Sequence, residues 1–139
     1  MNIKSNFMLI LLFLIPLSCK SQEQKIENIN IKYVNTNIET PFQITSKTYD
    51  SFFKDEVDSI SIQDYKQLEE FQKIIESLKS ADSSKYSSPD IRIIIRVFYN
   101  DKKTIYIYMD QFVVSRLGKL YMSAPLLRYI QNIIKLKRS

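Results

Sequence analysis

Apolar and polar side chains alternate in some stretches of this chain and recur at helical spacing in others. Ile29, Ile31 and Tyr33 alternate with Asn30 and Lys32, which predicts a first strand. Thr40 to Thr45 (T-P-F-Q-I-T) reads as a short extended piece, with Pro41 suited to a sheet edge. The following S-K-T-Y-D-S-F-F-K-D fits a short helix or a turn equally well. Asp58 to Ile62 (D-S-I-S-I) alternates again and predicts a second strand. Then the period changes. Asp64 and Gln67 form a D-x-x-Q capping box, and Leu68, Phe71, Ile74, Ile75 and Leu78 share one helical face. The serine-rich K-S-A-D-S-S-K-Y-S-S-P-D, Lys79 to Asp90, reads as an exposed loop. A last helix follows Ser123, with Pro125 in its first turn and Leu126, Leu127, Ile130, Ile133 and Ile134 on its apolar face. Lys135, Lys137 and Arg138 suit the negative end of its dipole.

Between the helices, Asp90 to Asp110 forms two strands joined at Asn100-Asp101-Lys102. Loop length decides which side chains share a face. A two-residue loop places Arg96 opposite Ile107 and mixes polar and apolar groups on both faces. A three-residue loop places Val97 opposite Ile105, Ile95 opposite Ile107 and Ile93 opposite Met109, so one face is wholly aliphatic. At about 25 cal/mol per Å² of buried apolar area, the second register wins by several kcal/mol. It predicts a type I turn with Lys102 in the left-handed region. The other face then pairs Arg96 with Tyr106, Ile94 with Tyr108 and Arg92 with Asp110. Phe112 to Ser115 and Leu120 to Met122 predict one more hairpin, turning around Gly118. The expected fold is a two-layer α+β sandwich. An antiparallel sheet of four to six strands carries two helices on its aliphatic face and leaves the Arg/Tyr face open.

Ahead of this domain lies a different pattern. Lys4 precedes an apolar run of eleven residues, Phe7 to Leu17. A bilayer span needs about 20, so the run is the h-region of a secretory signal. It ends at Leu17-Ser18-Cys19, which resembles the bacterial lipoprotein signal peptide, with Pro16 standing where leucine is usual. The resemblance covers residues 1–19. It implies cleavage before Cys19, a lipid on that cysteine, and attachment to the cell envelope. Lys20 is not the aspartate that favours inner-membrane retention, so the resemblance points to the outer membrane. Cys19 is the only cysteine in the chain, so no internal disulfide forms, and acylation removes a lone thiol. The expected organisation is signal peptide 1–18, lipidated tether 19–28 and a single domain 29–139.

Composition narrows the function. There is no histidine and one glycine, against nine tyrosines and eight phenylalanines. The commonest general base is missing, and the glycine-rich phosphate loops cannot be built. Asp55, Glu56 and Asp58 lack the spacing of a calcium loop and decorate a strand edge. No cofactor, no metal and no enzymatic activity are expected. Charge is polarised. Residues 19–90 carry 9 basic and 13 acidic side chains, residues 91–139 carry 10 and 2. A basic half attracts anionic lipid heads or an acidic protein, and nucleic acid is not expected in the envelope.

The Arg/Tyr face, with Arg92, Arg96, Tyr106, Tyr108 and Asp110, has two readings. One is ordinary cross-strand pairing on a solvated sheet. The other is a recognition face, because arginine and tyrosine are enriched at protein interfaces. The function expected from these features is a membrane-anchored binding module that docks a protein partner, in the manner of an immunity or inhibitor protein. The alternative is a structural accessory subunit of an envelope complex. The strand–helix–hairpin–helix order resembles that of many small bacterial lipoproteins, a pattern to which no single activity belongs.

Overall fold

A computed structural model describes residues 23–138 of the chain. Within it, six strands form one antiparallel sheet in the order β2-β1-β3-β4-β5-β6. The strands are β1 (Ile26–Tyr33), β2 (Asp58–Ile62), β3 (Ile93–Tyr99), β4 (Thr104–Met109), β5 (Val113–Arg116) and β6 (Lys119–Met122). The helices are α1 (Tyr49–Phe53), α2 (Tyr65–Glu76) and α3 (Ala124–Arg138). The architecture is α+β, as the alternation and helical spacing predict.

The β3–β4 register is the one that segregates the faces. Ile93 pairs with Met109, Ile95 with Ile107 and Val97 with Ile105. The turn closes through the Tyr99 amide donating to the Lys103 carbonyl at 2.9 Å, and Lys102 takes φ +65°. All six of these aliphatic residues are buried, and α2 and α3 cover them. Leu68, Phe71 and Ile75 of α2 and Leu126, Tyr129, Ile130 and Ile133 of α3 complete this main core. Asp64 caps α2 as expected, its Oδ1 accepting from the Gln67 amide at 3.0 Å. Ser123 does not use its hydroxyl that way. The hydroxyl donates to the Gln111 carbonyl at 2.7 Å, and the Ser123 carbonyl accepts from the Leu127 amide. Arg116 of β5 donates to the Ile75 carbonyl at 2.6 Å, a cation at the carbonyl end of α2.

Two features depart from the expected layout, and a third settles a choice that it left open. β1 starts at Ile26 rather than Ile29, and the residues before it are already fastened. The Gln24 amide donates to Asp101 at 2.7 Å, the Lys25 amide donates to Asn100 Oδ1 at 3.1 Å, and the Asn100 amide donates to the Lys25 carbonyl at 3.0 Å. Thr40 to Thr45 is irregular rather than a strand. Its Ile44 is nevertheless buried, and the Ile91 amide donates to the Ile44 carbonyl. Finally, S-K-T-Y-D-S-F-F-K-D forms the short α1 and a 3-10 turn, Lys54–Glu56.

Strand direction gives the sheet two distinct ends. The start of β1 and the β3–β4 turn lie at one, here the entry end, toward which the turn of the shorter β5–β6 hairpin also points. The segment 34–57, the start of β3 and the turn after β4 lie at the other, the far end. At the β5–β6 turn, Leu117 and Gly118 both have positive φ, +50° and +76°, the pattern of a two-residue hairpin loop. Residues 79–81 cover the β6 edge through hydrogen bonds to Leu120 and Met122. The covered edge leaves fewer unpaired strand groups to template association.

Candidate functional site

The face of the sheet turned away from α2 and α3 is where the sequence places its candidate residues. It divides into two halves.

Over the far half, α1 folds back. Val34, Ile44, Tyr49, Phe53 and Ile91 are buried together, with Ile94 and Tyr108 packed against them. Tyr49 and Phe53 are four residues apart, so both rings leave one side of a helical turn, and their centroids lie 5.1 Å apart. The Tyr49 hydroxyl donates to the Arg92 carbonyl at 3.0 Å. Burial, with Asp50 nearby adding to it, pushes that phenol well above its ordinary range. Asp50 also pairs with Lys32 of β1 at 3.1 Å.

Arg92 is therefore not on an open face. It is 5 % exposed. Its Nη1 and Nη2 each donate at 2.8 Å to one Asp90 carboxylate oxygen, a bidentate pair. Nη2 also donates at 3.0 Å to the Ile38 carbonyl and to Thr40 Oγ1. The Phe53 ring lies 5.5 Å from the guanidinium carbon. Arg92 sits opposite Asp110 in register but pairs with Asp90, its neighbour two residues back. Asp110 is engaged elsewhere. Its Oδ1 accepts from the Phe112 and Val113 amides at 2.7 and 2.8 Å, and its Oδ2 from the Asp90 amide at 3.0 Å. Both residues are fastenings of the far end rather than contacts offered to a partner. Burial pushes the Asp90 carboxyl up. The bonds it accepts from Arg92, the Ile44 amide and Thr40 outweigh that and hold it below its ordinary value.

The other half stays open. Arg96 pairs with Tyr106 and Ile94 with Tyr108, as the loop length predicts, the second pair lying half-buried at the boundary with the covered half. Arg96 is exposed and Tyr106 is 45 % exposed. The Arg96 guanidinium lies 4.6 Å from the Phe98 ring centroid and 5.8 Å from that of Tyr106. Tyr106 and Tyr108 are stacked at 6.2 Å with 8° between their planes. Each cation–π contact at an exposed site contributes about 0.5–1 kcal/mol. Together they hold a long cationic side chain against two rings, so less side-chain entropy remains to be lost when something docks there. Asn30 of β1 flanks Arg96, and Ser115 of β5 flanks Tyr108. Phe98 belongs to this platform; the three-residue loop places it on the same face as Arg96, though it was not among the candidate contact residues.

A second set of aromatics was not anticipated. Phe42 and Phe112 are 53 % and 58 % exposed at the far end, and Phe42 meets Phe52 edge-on at 5.3 Å. Phe42 and Phe112 line one shallow hollow with Tyr86. A hollow of about 640 Å³ lies between the start of β1 and α2. Lys73 pairs there with Glu69 at 3.1 Å and Lys25 with Glu23 at 3.9 Å, and Glu27 and Glu76 also line it. Among the described residues no group of histidine, cysteine, aspartate or glutamate is arranged to hold a metal ion. No helix among them is long and apolar enough to cross a membrane. Cys19 and the signal segment lie outside the described residues.

Compared with family models, with curated proteins and with solved structures, the chain matches none.

Proposed function

We propose that this chain is a lipid-anchored binding module of the cell envelope, without catalytic activity, which docks a protein partner on the open half of its sheet. The observation that carries the reading is the Arg96–Phe98–Tyr106–Tyr108 platform. It is a preordered cation on stacked rings at the centre of a sheet face, between β1 and β5. Flat aromatic side chains with an arginine bind at low entropic cost and are the residues most often found as interface anchors. The guanidinium favours a partner with an exposed carboxylate. Cys19, at the end of the lipoprotein-like signal, is the site of the anchor, and the outer membrane is the membrane proposed.

The test is crosslinking in intact cells with the full chain, comparing wild type with the Arg96→Ala, Tyr106→Ala double variant. Loss of a crosslinked species at unchanged abundance, with no more than the fall in melting temperature of a few degrees expected from losing the cation–π contacts, supports the module. Identical crosslinks from both proteins refute the platform as the docking site. The exposed Phe42 and Phe112 favour a second reading, an accessory subunit whose far end is permanently covered. That subunit would aggregate when purified alone, whereas the module would remain monomeric once its lipid is removed.

A further inference from the structure

The structure shows where the chain enters the domain, and that point constrains how the domain meets its membrane. Glu23 to Lys25 do not hang free. The Asn100 side chain donates to the Glu23 carbonyl at 3.2 Å, Gln24 reaches Asp101, and the Lys25 backbone exchanges hydrogen bonds with Asn100. The start of β1 is thus locked to the β3–β4 turn. The four steps from Cys19 to Glu23 span at most about 14 Å even when fully extended. The eight residues of β1 carry the far end about a further 26 Å away.

The two turns at the entry end have side chains suited to a headgroup layer. Lys102 and Lys103 are exposed at the tip of one, Lys119 is exposed beside the other, and Leu117 projects from it 65 % exposed. Asp101, the acidic residue of the first turn, is engaged by Gln24 and by the Lys103 amide at 3.0 Å. One non-glycine residue at each tip, Lys102 and Leu117, stands in the left-handed region, at φ +65° and +50°. Asparagine or glycine adopts that conformation at lower cost, and a bulky apolar residue there is unusual. The hairpin loops require those backbone conformations, and they leave a lysine and a bulky apolar side chain facing solvent next to the chain's entry point, available to another surface.

We propose that the entry end is a membrane foot. Lys102, Lys103 and Lys119 contact the phosphate-bearing headgroups of the bilayer that holds Cys19, and Leu117 enters the headgroup boundary. The occupant is this lipid surface. The electrostatic part acts within a Debye length of about 8–10 Å, which the short tether makes attainable. The open sheet face then stands along the membrane normal and the far-end aromatics point away from the bilayer. This inference rests on the lipid anchor of the proposed function.

The experiment uses the full chain, processed in a bacterial host and reconstituted in vesicles of phosphatidylethanolamine and phosphatidylglycerol with a headgroup spin-labelled lipid. Lipidation occupies Cys19, so a fluorophore is placed by Lys103→Cys in one protein and by Phe112→Cys in another. The expected result is several-fold stronger quenching at position 103. Adding Lys102→Asn and Leu117→Asn to the first protein, both of which suit the backbone, is expected to weaken that quenching several-fold. Equal or stronger quenching at position 112, or no change on adding the two asparagines, overturns the foot. Intact mass separates the two levels. A lipidated chain quenched at 112 overturns the orientation alone, whereas a chain without lipid on Cys19 removes the anchor and the orientation with it.

Discussion

Arg92 and Arg96 leave the same side of β3, four residues apart, and meet opposite fates. Arg92 is buried under the segment 34–57, in a bidentate pair with Asp90 and against Phe53. Arg96 lies in solvent across Phe98 and Tyr106. The difference is set by what crosses the sheet. Where α1 folds back, water is excluded, and the guanidinium there is held by the bonds its Nη1 and Nη2 make, while its buried Nε has no partner. Where nothing crosses, the same side chain is restrained only by rings and stays available. One half of this face is a clamp and the other a platform, although both are built from arginine and tyrosine at alternate positions.

The comparison is most sharply broken by removing the buried arginine. Arg92→Ala leaves the Asp90 carboxylate without its counter-ion and the Ile38 carbonyl without its donor. A destabilisation of about 3–5 kcal/mol is expected, read by urea unfolding. If Arg92→Ala costs less than about 1 kcal/mol, the clamp is not what holds segment 34–57 down. Asp110→Ala removes the acceptor of three backbone amides and is expected to cost about 1–3 kcal/mol in the same assay.

Acid sharpens the contrast further. The Asp90 carboxyl is held below its ordinary value in the folded protein, so the unfolded chain binds its proton first as pH falls. The stability it contributes is complete above the ordinary carboxylate range, about 3.9, and is lost as pH falls from there through its lowered folded value. Asp90→Asn is expected to remove this part of the pH dependence, seen as a flatter fall in unfolding midpoint between about pH 5 and pH 3. An unchanged slope would show that other carboxylates carry it.

On the platform, Arg96→Ala forfeits two exposed cation–π contacts and is expected to cost only about 1–2 kcal/mol in stability. A loss as large as that of Arg92→Ala would mean that the open half is also a clamp. The smallest change is expected at the entry end. Leu117→Asn relieves a strained backbone position and is expected to raise stability by a few tenths of a kcal/mol, detectable as a small rise in melting temperature.

Much of this was legible along the chain. The three-residue loop after Tyr99 follows from demanding one aliphatic face, and it placed Arg96 against Tyr106 and Ile94 against Tyr108 as found. The apolar spacing of α2 and α3 identified their buried residues, though not Tyr129, whose hydroxyl donates to the Gln67 carbonyl at 2.8 Å. The burial of Arg92 was not legible, because an arginine between Ile91 and Ile93 has the same alternation whether the face above it is wet or dry. The one hint was local, the i, i+4 pair Tyr49 and Phe53, and a five-residue helix is too short for periodicity to settle.

Face, register and helix spacing depend on terms that repeat every two to four residues, so they can be read locally. On that basis the sequence by itself determined an antiparallel sheet with one aliphatic face, two covering helices and an Arg/Tyr face behind. Only the tertiary structure decided that α1 covers half of that second face, that Arg92 and Asp110 fasten the far end, and that the chain enters locked to the β3–β4 turn. Those outcomes rest on contacts between residues 38–53 and 90–94 and between residues 23–25 and 100–101. Nothing in a local pattern encodes such contacts. They are set by which distant segments satisfy one another's hydrogen bonds once the core has formed.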